Sequence, residues 1–145
     1  MSNPTASSET VTPAVTPEDL LAAARTVYSN AYAPYSQYSV AAAVLADNGK
    51  VYTGCNVENA VYPLTICAER AAIFGAVSDG ARRISAVAVV TANAGAPCGS
   101  CRQVMREFGD DEMPVYVADL TGNATRYTLT ELLPQSFSVD DLPEK

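Results

Sequence analysis

The strongest constraint on this chain is the order in which two hydrophobic periods alternate along it. Ile84 to Thr91 is an apolar run of strand length, broken only by Ser85, and Pro114 to Asp119 is a second. Runs of this kind belong to strands covered on both faces. Tyr38 to Ala46 is a further strand. The turn sequence Asp47-Asn48-Gly49-Lys50 closes it and Val51 to Asn56 returns from it, so the two form a hairpin. Helical patterns lie between and before the strands. Thr16-Pro17-Glu18-Asp19 supplies a hydroxyl cap, a proline at the first helical position and acids in the first turn. Leu20, Ala24, Val27 and Ala31 then recur at helical spacing, which predicts a helix over 17–32 that Pro34 stops. Further helices are expected over 67–78, ended by Gly80, and over 98–108, ended by Gly109. Thr125 to Leu129 offers one more strand, and Thr130-Glu131-Leu132-Leu133 starts a short final helix. The β-β-α-β-α-β order predicts an α/β fold, a mixed sheet with helices packed on it.

At 145 residues, 48% of them hydrophobic, the chain has the size and apolar content of one domain with a real core. Residues 1–16 are rich in Ser, Thr and Pro and carry one charge, Glu9; they read as a disordered N-terminal tail ahead of a folded domain over 17–145. They hold no basic head or apolar block of a signal peptide, so the expected compartment is the cytoplasm. Nine basic and sixteen acidic residues give a net charge of −7. That argues against a polynucleotide partner and an anionic membrane surface, because both are bound through cations. The longest apolar stretches, such as Val40 to Ala46, are far short of a membrane span.

Histidine is absent and cysteine occurs four times, at Cys55, Cys67, Cys98 and Cys101. A metal must therefore sit on Cys, Asp or Glu, and a general acid or base near neutral pH is most simply a carboxylate. In a cytosolic chain the cysteines point to ligands or catalytic thiols before disulfides. Cys98 and Cys101 open the third helix at i and i+3, on one face of its first turn, and Cys67 opens the second helix in the same way. The free N–H groups and positive dipole end at helix starts favour thiolate. Three thiolates with one open position make the layout of a catalytic zinc site. Cys55 as a fourth ligand would close that site, but its spacing from Cys67 does not match a zinc knuckle, and a small buried hydrophobe is the preferred reading. Pro97-Cys98-Gly99-Ser100-Cys101 alone also fits a dithiol redox motif; Cys67 with Glu69 shifts the balance toward metal.

Glu69, in the segment Cys67-Ala68-Glu69-Arg70, can reach the space beside a metal without ligating it. In a chain without histidine one carboxylate can act as both base and acid by shuttling a proton. Arg70 shares a helix face with the Cys67 sulfur, where a guanidinium offsets the net negative charge of zinc with three thiolates.

These residues resemble the cytidine deaminase family, in its small homotetrameric form. The matching segments are Ala33-Pro34-Tyr35-Ser36, Gly54-Cys55-Asn56-Val57-Glu58-Asn59-Ala60, Cys67-Ala68-Glu69-Arg70, Pro97-Cys98-Gly99-Ser100-Cys101-Arg102-Gln103-Val104, and Leu132-Leu133-Pro134 with Phe137. The Cys-x-Glu and Pro-Cys-x-x-Cys pair marks zinc nucleobase deaminases. The resemblance implies a three-layer α/β sandwich with a mixed five-stranded sheet flanked by helices, one Zn2+ per chain on Cys67, Cys98 and Cys101, and hydrolysis of free cytidine and 2′-deoxycytidine to the uridines and ammonia. Zinc-bound hydroxide would attack C4 while Glu69 shuttles the proton to N3. Asn56 and Glu58 would bind the ribose 3′-hydroxyl, Tyr38 and Ala68 would contact the substrate, and Phe137 would reach a neighbouring subunit's site in a homotetramer. Arg70 would hydrogen-bond ligand sulfurs. From the residues alone, Asn56 and Glu58 offer complementary donor and acceptor capacity, and the Glu58 carboxylate favours a nucleoside over a nucleotide.

The chain departs from the family pattern where Tyr38 replaces Phe, Ala41 replaces Gly, Ala96 replaces Ser, and the 92–96 loop is short. The Tyr38 hydroxyl then needs a partner or water. Two other readings follow from the same residues: a zinc deaminase for another base or nucleoside analogue such as blasticidin S, and a structural zinc or dithiol redox protein.

Overall fold

The structure, a computed structural model, describes residues 14–145. Thirteen of the residues assigned to the tail lie outside that range. Val15 packs against the core, and Thr16 caps the first helix. The elements run α1 (Pro17–Val27), β1 (Val40–Ala46), β2 (Val51–Cys55), α2 (Ala68–Ser78), β3 (Ile84–Thr91), α3 (Gly99–Phe108), β4 (Pro114–Ala118), β5 (Ala124–Thr128) and α4 (Leu129–Leu132). The five strands form one sheet in the order β2-β1-β3-β4-β5. Only β3 and β4 run parallel, with α3 crossing between them.

The layers follow from side-chain alternation along the strands. Ala42, Val44, Val87, Val89, Val115 and Val117 face α2, α3 and α4 in the larger core. Ala43, Ala86, Ala88, Val90 and Ala118 face the other way, against Leu20, Leu21 and Ala24 of α1. The expected three-layer sandwich is therefore present. Ile73, Val87, Val89 and Val115 are at most 1% exposed, and each such burial is worth about 1.5–3 kcal/mol.

Helix α1 begins as expected: Thr16 Oγ1 accepts from the Asp19 amide at 3.1 Å, and Asp19 Oδ2 accepts from the Thr16 amide at 3.0 Å. It ends earlier than the expected residue 32. A 3-10 turn over Tyr28–Asn30 replaces its last turn, four residues before Pro34. The β-branched Val27 and the Ser29-Asn30 pair, whose side chains compete for backbone bonds, are poor at extending a helix. Strand β1 begins at Val40, because Gln37 turns the chain at a φ of +57°. The capping box of α4 lies at Thr128 and Glu131, which shifts that helix one residue earlier than expected.

Register fixes where chemistry can gather. Val40 pairs with Thr91 and Ala41 with Cys55, so β2 and β3 finish at the same end of the sheet, where β1 begins. Helices α2 and α3 follow those two strands in the chain. Both therefore start at that end.

Candidate active site

Cys67 is the residue before α2 and Cys98 the residue before α3, each with extended backbone. A Ser or Asp in that position would fold its side chain onto the first-turn amides. Neither cysteine does so, which leaves its sulfur free and the unpaired amides available to favour negative charge. Cys101 sits on the first turn of α3, fully buried.

The three sulfurs lie within 4.8 Å of one another. Cys67 Sγ and Cys98 Sγ are 3.8 Å apart, and Cys98 Sγ and Cys101 Sγ are 3.4 Å apart. A tetrahedral zinc with Zn–S bonds of about 2.3 Å needs sulfur–sulfur edges near 3.8 Å, so the donor set and spacing fit that ion. Cys55, half-buried at the end of β2, is a free thiol outside the cluster. Among the described residues the cluster thus offers three ligands and leaves one position open.

The sulfurs are electrostatically unlike one another. The pKa of Cys67 is lowered to about 5, first by the neighbouring Cys101 sulfur and then by the Arg70 guanidinium, against the cost of burial. That of Cys101 is raised, by the closeness of the Cys67 sulfur and by burial. Arg70 Nη2 donates to Cys67 Sγ at 3.2 Å, on the helix face expected for it. Its Nε is buried with no hydrogen-bond partner among the described residues.

Glu69 is 3% exposed, and the Cys101 thiol donates to its Oε2 at 3.7 Å. Burial raises its pKa. Its carboxyl faces a cavity of about 260 Å³ that Cys67, Cys98, Asn56 and Tyr38 also line. Ala68, fully buried, is the first residue of α2.

Asn56 and Glu58 are both buried, and both hold the segment that forms the cavity mouth. Asn56 Oδ1 accepts from the Val40 amide at 2.9 Å and its Nδ2 donates to the Tyr38 carbonyl at 2.8 Å. Glu58 Oε2 accepts from the amides of Tyr35 at 2.8 Å and Ser36 at 3.2 Å, and Oε1 accepts from the Ser36 hydroxyl. That hydroxyl holds the Glu58 carboxyl below its ordinary range against the cost of burial. Glu58 lines a shallower depression beside the cavity, which shares Ser36 and Thr65 with it. Phe137 stands apart from the cavity of its own chain: its side chain is 59% exposed, and its carbonyl accepts from Gln103 Nε2 at 2.9 Å. The sequence reading missed Thr65 and Thr91 in the cavity wall. A buried threonine ending an otherwise apolar strand was the available signal for Thr91.

The model for the cytidine and deoxycytidylate deaminase zinc-binding region matches residues 15–117. A cytidine deaminase of Sporosarcina psychrophila is 49% identical over 127 residues, covering 86% of this chain and 93% of the relative. One from Mycobacterium tuberculosis is 44% identical over 119 residues, covering 81% and 86%. The crystal structure of cytidine deaminase from Burkholderia pseudomallei superposes with a TM-score of 0.80 at 44% identity, over 84% of this chain and 99% of that one.

Proposed function

The chain belongs to the cytidine and deoxycytidylate deaminase family, and from that membership and its site we infer that it hydrolyses the 4-amino group from free cytidine and 2′-deoxycytidine, giving the uridines and ammonia. Cys67, Cys98 and Cys101 hold one zinc ion, a Lewis acid that makes water nucleophilic at neutral pH. Glu69 takes a proton from the attacking water at a carboxylate oxygen and delivers it to N3 of the pyrimidine, then takes the proton of the hydroxyl now on C4 and passes it to the 4-amino group, which leaves as ammonia as the C4 carbonyl forms. Arg70 offsets the charge of the sulfur cluster. The observation that carries this reading is the buried Glu69 carboxyl, 3.7 Å from one of three clustered sulfurs and open to a nucleoside-sized cavity.

Asn56 and Glu58 are assigned to the ribose 3′-hydroxyl. Each keeps capacity beyond its present bonds: the second N–H of Asn56 Nδ2 and the unused lone pairs of Glu58. Tyr38 lines the base pocket and Ala68 contributes backbone at the start of α2. The deaminase domain is taken as residues 17–145. A homotetramer with shared sites is supported by the exposed Tyr35 and Tyr62, which line the depression beside the cavity, and by the exposed Phe137. Free thiols at the site suit the cytoplasm, and the reaction suits pyrimidine salvage.

The test is product analysis with cytidine, 2′-deoxycytidine and cytidine monophosphate. Both nucleosides should yield uridines and equimolar ammonia, and the nucleotide should react about a hundredfold more slowly, because Glu58 repels phosphate. Preference for the nucleotide, or no release of ammonia from cytidine, would overturn the assignment.

A further inference from the structure

The loop between β3 and α3 is Ala92-Asn93-Ala94-Gly95-Ala96-Pro97, short and poor in side chains that could anchor it, yet it delivers Cys98 to the cluster and lines the cavity with Gly95 and Ala96. What holds it is polar. The Tyr38 hydroxyl donates to Asn93 Oδ1 at 2.7 Å. The Thr91 hydroxyl reaches the same oxygen at 3.4 Å, and Thr91 Oγ1 accepts from the Gly95 amide at 2.7 Å. The loop also closes sterically on the tyrosine. A Cβ on Gly95 would lie 2.3 Å from Tyr38 Oη, with Asn93 Oδ1 at 3.4 Å and Tyr38 Cζ at 3.5 Å, so of these atoms only the hydroxyl oxygen would clash. Ala94 holds a φ of +55°, a left-handed conformation that needs support from its surroundings.

We propose that the Tyr38 hydroxyl is a positioning group that latches the 92–97 loop through Asn93 and Gly95, and so sets the cavity wall against which the nucleoside packs. It touches no reacting atom, so its effect falls on substrate binding. The activity part of this inference rests on the deaminase reading above.

The test uses the full-length, zinc-loaded chain and the variants Y38F, N93A, G95A, Y38F/N93A and Y38F/G95A. Y38F and N93A should each raise KM for cytidine about three- to tenfold, the range of one net hydrogen bond, while kcat and its pH profile stay unmoved. Y38F/N93A should be no worse than N93A alone, because N93A already removes the Tyr38 contact together with that of Thr91. G95A should lose about tenfold or more in kcat/KM from overpacking. Y38F should recover part of that loss by vacating the space. Hydrogen exchange at the Gly95 amide should quicken in Y38F and N93A. An unchanged KM in Y38F, additive single effects, or a G95A defect deepened by Y38F would overturn the latch. A wild type that fails to deaminate cytidine would defeat the deaminase reading and leave the latch to stand or fall on the exchange measurement.

Discussion

Arg70 brings a cation to a half-buried position where the Cys67 sulfur, 3.2 Å away, is its partner. Its place is explained by the negative charge of the cluster. R70A should weaken zinc retention against a competing chelator, and activity with it, by about 10- to 100-fold, the usual cost of losing a group that supports metal ligands. Retention equal to wild type would show that the guanidinium only fills space. Glu58 makes a different prediction. Its folded pKa is depressed below 4.5, chiefly by the Ser36 hydroxyl, so its stabilisation is present above that pH and is lost as pH falls through the folded value. E58Q should lower the melting temperature at pH 7, and the difference from wild type should shrink as pH falls through the depressed folded pKa. A constant difference across the acid range would contradict the tether. The grouping of Cys67 with Glu69 and Arg70, and of Cys98 with Cys101, was legible in the sequence because helix-start geometry fixes neighbours within four residues; the approach of Cys67 to Cys98, 31 positions apart, came from the sheet register. The Ser36–Glu58 bond and the Tyr38–Asn93 bond span 22 and 55 positions, and local pattern carries no signal over such distances.

At the scale of elements, the site depends on how closely α2 sits on β2. A Cβ on Gly54 would meet the Ala68 carbonyl oxygen at 2.6 Å and the Ala72 amide nitrogen at 2.7 Å, both backbone atoms. G54A must push the start of α2 off the sheet, and with it Cys67 and Glu69. We expect a loss of about 1–3 kcal/mol in unfolding free energy by denaturant titration, the usual cost of overpacking, together with reduced zinc retention. Full stability and zinc content in G54A would mean that the helix can move without cost to the site. Strand and helix types were legible from period and punctuation. Boundaries shifted where two signals overlapped: Thr128 and Thr130 both suit a cap, and only the Thr128–Glu131 pair closes a capping box. Pro34 was credited with ending α1, when residues 27–30 had already ended it.

For the molecule as a whole, the sheet gives its small side chains to one helix and its larger ones to the others, and both site helices open at one end. Of this, the mixed sheet with helices packed on it followed from the order of elements; the division of side chains and the shared end came from the register. What the chain does with its exposed apolar side chains did not follow from that order, because a single sequence does not distinguish an interface from a surface. If Phe137 completes a neighbouring site, light scattering should give four times the chain mass of 15.2 kDa. F137A should then raise KM for cytidine about tenfold or more, as expected on losing an aromatic anchor at an interface. A fully active monomer would contradict a shared site. The central claim is that one buried carboxyl beside three sulfurs moves the protons of the reaction. The direct measurement is the loss of ultraviolet absorbance with cytidine for wild type and E69Q, with zinc quantified in the same preparations. The account predicts about one zinc per chain in both and a fall in kcat of about a thousandfold or more in E69Q. A zinc-loaded E69Q within a few fold of wild type would contradict it.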